Sequence, residues 1–217
     1  MFGPDASLAW LSSVAAFAVA MAATPGPNNA MVAASGATFG LGRTWPHILG
    51  IAVGFPAMLV ALALGADRML RALPESHVQR TWAALTWIGA AYMLWLAWRI
   101  AMARPVRRGP PTAGAESPPA RGRPFRFVEA ALFQWVNPKA WVVALGAVAT
   151  YTRPEALVIQ TLVIAAVFFA VCVPSCALWT GIGAGAARLL RTERAIRAFN
   201  IAMAALLVAS LVPIIAA

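Results

Sequence analysis

No charged side chain occurs between residues 156 and 187, and comparable uncharged runs cover residues 8–24, 45–66, 82–98 and 198–217. A helix rising 1.5 Å per residue needs about 20 apolar residues to cross about 30 Å of hydrocarbon. Runs of this length therefore have to face lipid. Composition agrees: 61% of the 217 residues are hydrophobic and 11% charged, whereas about a quarter of a soluble domain is charged. The expectation is an all-α membrane protein, because the ten-residue alternation of a transmembrane β-barrel is absent.

Residues 127–150 supply a sixth run, interrupted only by Glu129 and Lys139. Six transmembrane helices follow, with the run at 156–187 leaving the membrane through Gly181, Gly183 and Gly185. The first run could serve instead as a secretory signal, since Ala20-Met21-Ala22 imitates a cleavage site. Asp5 and the lack of Lys or Arg ahead of the run argue against that reading.

Basic residues set the orientation. Arg68, Arg71, Arg80 and Arg153 fall on one side of a six-span arrangement, and the twelve other arginines, among them Arg43, Arg99, Arg104, Arg126, Arg188 and Arg197, on the other. The positive-inside rule makes the second side cytoplasmic and places both termini outside, as a multi-pass protein of the inner or plasma membrane. The net charge of +10 then needs no nucleic-acid partner. Residues 104–126 are rich in Pro, Gly and Arg and read as a cytoplasmic linker able to touch anionic headgroups.

The linker separates two similar halves, residues 1–103 and 127–217. Each opens on a membrane segment broken by proline: Thr24-Pro25-Gly26-Pro27-Asn28-Asn29 in the first, Val136-Asn137-Pro138-Lys139 in the second. Proline removes a backbone donor and clashes with the preceding turn, so each motif breaks its helix and frees carbonyls that need another partner. From Pro27 the next spans open 18 and 55 residues on, at Trp45 and Trp82; from Pro138 they open 18 and 57 on, at Ala156 and Ala195. Three spans per half is an odd number, so the halves form two inverted three-helix repeats with broken first helices. Interrupted segments at matching positions point to a transport site near the midplane. Pro56 and Pro174 read as ordinary kinks.

The candidate substrate-binding residues are therefore Pro25, Gly26, Pro27, Asn28, Asn29, Asn137, Pro138 and Lys139. Lys139 is the only lysine and lies within a membrane run, where a charge costs about 2.5 to 3.5 kcal/mol on insertion scales. It reads as a binder of carboxylate or as a structural cation. The asparagines both donate and accept, which suits them to freed carbonyls or to a zwitterion. The N-terminus of the half-helix opening at Asn28 adds unpaired N–H groups and the positive end of a dipole. Glu129 lies ten residues before Lys139, about 15 Å along a straight helix, so it belongs at the cytoplasmic entrance, with proton coupling as the alternative. Gln134 and Gln160 read as interhelical glue or as site lining. The pairs Gly36/Gly40 and Gly50/Gly54 read as packing faces, and Trp45, Trp82, Trp98 and Trp179 as interfacial belt.

These motifs resemble the LysE/RhtB family of amino-acid exporters. The resemblance rests on Thr24–Asn29 with the glycines at 36, 40, 42 and 50, and on Phe133-Gln134-Trp135-Val136-Asn137-Pro138-Lys139-Ala140-Trp141. It implies a six-helix inner-membrane protein that exports amino acids or related small metabolites by secondary transport. Pro25, Gly26, Pro27, Asn28, Asn137, Pro138 and Lys139 occupy the family's motif positions. Glu129 and the arginine-only central loop depart from the common pattern and bear on substrate identity.

Other classes fit less well. An enzyme embedded in the bilayer needs a nucleophile with its base, or a metal cluster, and neither constellation is visible. An exporter of metal ions needs acidic or His-rich membrane clusters; Cys172 and Cys176 share a helical face but lack His, Asp or Glu beside them, and His47 and His77 stand apart. No cofactor or resident metal is expected. The expected partners are a small amino-acid-like molecule and the lipid bilayer, and a homo-oligomer is compatible with the sequence.

Overall fold

The computed structural model describes residues 4–72, 123–189 and 192–209, with residues 87, 90–91, 94–95, 97–98 and 101–102. The expected third span, 82–98, lies largely outside the described residues, as do most of the 104–126 linker, His77 and the chain beyond 209. Among the described residues there is no strand. The elements are α1 (Pro4–Ala23), α2 (Pro27–Ala72), α3 (Phe127–Phe133), a 3-10 turn (Gln134–Val136), α4 (Pro138–Tyr151), a second 3-10 turn (Pro154–Ala156), α5 (Leu157–Leu189) and α6 (Glu193–Ala209).

Proline chemistry writes the boundaries. Pro27 opens α2 and Pro138 opens α4, the first-turn position where a missing N–H costs nothing and a fixed φ helps. The Asn137 side chain accepts from the Lys139 N–H at 3.2 Å and caps α4. Residues 127–150 do not form one continuous helix. They form two short helices that meet at extended Asn137 (φ −89°, ψ 107°), so Lys139 stands in the first turn of α4.

α2 and α5 are the long elements, and Pro27–Gly65 and Pro154–Ala186 are each apolar and long enough to cross a bilayer. They share the most extensive helix contact among the described residues, and small residues permit it. A Cβ on Gly183 would lie 1.9 Å from the Ala33 carbonyl oxygen, and one on Gly36 would lie 2.1 Å from that of Thr180. On the other side of α2, Gly50 and Gly54 admit the backbone of α3: their added Cβ atoms would meet Phe127 O at 2.3 Å and Ala131 Cα at 2.5 Å. In lipid, where burial of apolar surface does not drive helices together, such close approach supplies the dispersion contacts that do.

Gly40 was expected to pack like Gly36. It does not: among the described residues a Cβ there would meet nothing within 4 Å, and the residue takes φ 80°, ψ 171°. Gly40 is a sharp turn inside α2, dividing the stretch after the first break from the long helix that follows. Thr152 and Arg153, both extended, make the corresponding turn after α4, and the Gln160 side chain accepts from the Arg153 N–H at 2.8 Å to close it. Gln160 is thus glue, and local glue.

One core cluster joins Val14 and Ala18 of α1, Phe55, Met58 and Leu59 of α2, Val143 and Ala144 of α4, and Ile164 and Phe168 of α5. It positions the site by fixing α1 and α4 against α5. The Trp10 indole N–H donates to the Tyr151 carbonyl at 3.0 Å, tying the start of α1 to the end of α4. Outward faces stay apolar: Ile159, Leu162, Phe169, Leu178 and Ile182 are all exposed on α5, as a lipid-facing helix requires. Of the tryptophans expected at the interface, Trp45 and Trp98 are exposed, whereas Trp179 packs on a second cluster around Ile48, Ile51 and Cys176.

Candidate functional site

The break between α1 and α2 leaves the last carbonyls of α1 without helical partners, and side chains from three other elements meet them. The Asn29 amide, on α2, donates to Ala22 O at 2.8 Å and to Thr24 O at 3.0 Å. Ser175 Oγ, from α5, donates to Ala22 O at 2.9 Å. Lys139 Nζ, from α4, donates to Thr24 O at 2.6 Å and to Pro25 O at 3.3 Å. A cation at the C-terminal end of α1 meets the negative pole of its dipole, while its own backbone sits at the positive pole of α4.

The two breaks are therefore welded into one polar centre. Gly26 makes this possible, since a Cβ there would sit 2.8 Å from Lys139 Cδ and 3.1 Å from Nζ. Asn28 and Gln134 close the junction from the side: each amide donates to the other, at 2.9 and 3.2 Å. Gln134, fully buried, also donates to Ala130 O at 2.9 Å.

Beside this centre lies a pocket of about 550 Å³, counted with its open mouth. Its polar lining comes from Gly26, Asn28, Asn29, Asn137, Lys139 and Ser175, and its apolar walls from Met21, Phe55, Val143 and Phe168. Cys172 and Cys176 complete the α5 side, their sulfurs 3.7 Å apart. Pro27 also lines the pocket; Pro25 contributes a carbonyl to Lys139, and Pro138 is buried at the start of α4. The structure thus brings all eight sequence candidates to one place. Among the described residues no group of three His, Cys, Asp or Glu side chains gathers to hold a metal.

Sequence reasoning missed two members. Thr24 acts through its carbonyl, which no side-chain pattern reveals. Ser175 acts through a bond to α1, 153 positions away, that has no local signal in the sequence.

Glu129 lies apart. Its carboxylate is chelated by the Arg123 guanidinium, with Nη1 at 2.6 Å and Nη2 completing the fork, and it accepts from the Arg126 N–H at 2.9 Å at the start of α3. That hydrogen-bonded carboxylate raises the pKa of the exposed Arg123 further. His47 is buried within α2 and stacks on Phe125 with ring centroids 5.2 Å apart.

Comparison with known proteins decides the family. The LysE type translocator family matches residues 19–211, a stretch that contains both breaks and the whole pocket. The chain belongs to the LysE type translocator family. It is accordingly a membrane transporter and not an enzyme. Among curated LysE-family relatives, the cysteine/O-acetylserine efflux protein of Klebsiella pneumoniae is 34% identical over 145 residues, 66% of each chain. Those of Salmonella typhimurium and Escherichia coli K12 are 29% and 28% identical over 67% of each chain. The chain thus spans about two thirds of the length of these relatives. No solved structure matches it.

Proposed function

We propose that this LysE-type translocator exports small amino acids or close derivatives by alternating access around the pocket between the two broken helices. The observation that carries the reading is the convergence of both proline breaks on one pocket, with a lysine, three asparagines and a serine in its polar lining and apolar walls beside them. Relatives named for efflux of cysteine and O-acetylserine support a small, uncharged side chain, and the pocket's apolar walls suit one. The substrate-binding group is Gly26, Asn28, Asn29, Asn137 and Lys139, with Pro25, Pro27 and Pro138 shaping the backbone around them.

In this reading residues 1–103 and 127–217 are two inverted three-helix repeats joined by the 104–126 linker. They rock about the shared centre so that the pocket opens to one side and then the other. The matched breaks and the matched turns at Gly40 and Thr152–Arg153 support the repeat. The arginine asymmetry supports an inner-membrane orientation with cytoplasmic linker and external termini.

Counterflow in proteoliposomes tests the function. Vesicles loaded with unlabelled O-acetylserine, cysteine, alanine, lysine or glutamate are given the labelled counterpart outside. Saturable uptake confined to the small neutral members is expected. Uptake of none of them by folded protein overturns the reading.

A further inference from the structure

The carbonyl oxygens of Thr24 and Pro25 are held by a primary ammonium, that of Lys139. An amino acid carries the same group. We propose that the Thr24 and Pro25 carbonyls are the ammonium-binding half of the substrate site, and that Lys139 occupies them only while the site is empty. On entry, the substrate's ammonium takes the carbonyl pair, and the displaced Lys139 pairs with the substrate's carboxylate. This rests on the amino-acid reading above and adds to it the means by which the pocket recognises a zwitterion.

Three observations carry the exchange. First, Lys139 Nζ reaches the carbonyls as the end of a flexible chain, and two of its three donors are used there among the described residues. Second, Lys139, Gly26, Asn28 and Asn29 all border the pocket, so an occupant lies beside the bond it would replace. Third, the Ala22 carbonyl is held by neutral donors alone, Asn29 and Ser175, whereas Thr24 O takes a shorter bond from Lys139 than the one it takes from Asn29, and Pro25 O is held by Lys139. Only the Thr24 and Pro25 pair is held by a charge that a second charge can draw away.

Charge arithmetic then gives the specificity. Among the described residues the pocket holds one positive charge, between walls of Met21, Phe55, Val143 and Phe168, where an unpaired ion or an unsatisfied carbonyl is costly. A zwitterion leaves the net charge unchanged, with both carbonyls filled and Lys139 paired. An amine without carboxylate would put two cations in the pocket. An acid without ammonium would draw Lys139 away, leaving Thr24 O with Asn29 alone and Pro25 O without the donor it has here. The site therefore excludes both halves of its own substrate.

The experiment compares O-acetyl-L-serine, its decarboxylated counterpart O-acetylethanolamine and the acid that lacks its ammonium, 3-acetoxypropanoate, in wild-type protein and in Lys139→Met. Counterflow and ligand-induced thermal shift of detergent-purified protein are both read, at pH 6. Wild type is expected to take only the zwitterion, with either half at least about tenfold weaker. In Lys139→Met the carbonyl pair is vacated, so the amine is expected to gain and the zwitterion to lose, shifting their ratio by about a hundredfold or more. A folded variant that still prefers the zwitterion overturns the exchange. So does a wild type that transports the zwitterion but binds the amine or the acid as well, a result that needs no variant to fold. If wild type ignores all three probes while counterflowing another amino acid, that amino acid and its two halves replace them. If it counterflows none, the transport reading itself has failed, and the exchange with it.

Discussion

Asn28 and Gln134 exchange hydrogen bonds amide to amide, at 2.9 and 3.2 Å, across 106 positions of sequence. One follows the first proline break and the other precedes the second, so the pair fastens the two interruptions to each other. Truncating either residue strands a part-buried amide, at about 1 to 3 kcal/mol. We expect Asn28→Ala and Gln134→Ala each to lower stability in detergent unfolding. The double variant should show a coupling of about 0.6 to 1.7 kcal/mol, the range found for hydrogen bonds between membrane helices. Strict additivity would mean that the pair is not a joint.

Gly183 and Gly181 stand two residues apart on α5 and predict opposite outcomes. A methyl group at Gly183 would lie 1.9 Å from the Ala33 carbonyl oxygen, whereas among the described residues one at Gly181 meets nothing within 4 Å. Gly183→Ala must push α2 from α5 and is expected to destabilise by about 1 to 3 kcal/mol. Gly181→Ala should match wild type or gain slightly. Equal unfolding midpoints for the two variants would show that the close approach is not needed.

Gly26 separates fold from function. Its nearest neighbour for an added methyl is the far end of Lys139, at 2.8 Å from Cδ, and a flexible chain can yield. Gly26→Ala is therefore expected to fold with a stability change under about 1 kcal/mol. The methyl nevertheless crowds the space that Lys139 and an incoming ammonium both use, so the counterflow KM should rise about tenfold. An unchanged KM would place substrate elsewhere.

Glu129 is engaged by Arg123 and the Arg126 N–H, exposed at the start of α3 and separate from Lys139. An exposed pair of this kind contributes little. Glu129→Gln should leave the counterflow rate within about twofold of wild type, with the same response to an imposed pH gradient. Loss of that response would give Glu129 the coupling role that the sequence left as its alternative.

What the sequence revealed and what it hid have one physical cause. Pro25, Pro27 and Pro138 act through their own rings on their own turns, so the breaks are legible from residue type alone. The glycines that admit α3 and α5 were legible for a similar reason, because small residues repeated along an apolar helix have few other uses. The acceptors of Lys139 were hidden, since every residue carries a carbonyl and nothing marks those of Thr24 and Pro25, more than a hundred positions away. Asn28 was expected to satisfy freed carbonyls or a ligand; its partner proved to be Gln134, a choice set by tertiary packing. The interruption of residues 127–150 was legible in the same way, from Pro138.

Gly40 combines φ 80° with room, among the described residues, where a Cβ would stand. Volume is therefore not what glycine supplies at this turn. An L-residue would strain there because its Cβ lies on the wrong side of the backbone for a positive φ. The mirror-image residue would not. At position 40 the protein discriminates by handedness rather than by size: a D-alanine introduced by chemical ligation should keep the turn that the encoded L-alanine would distort.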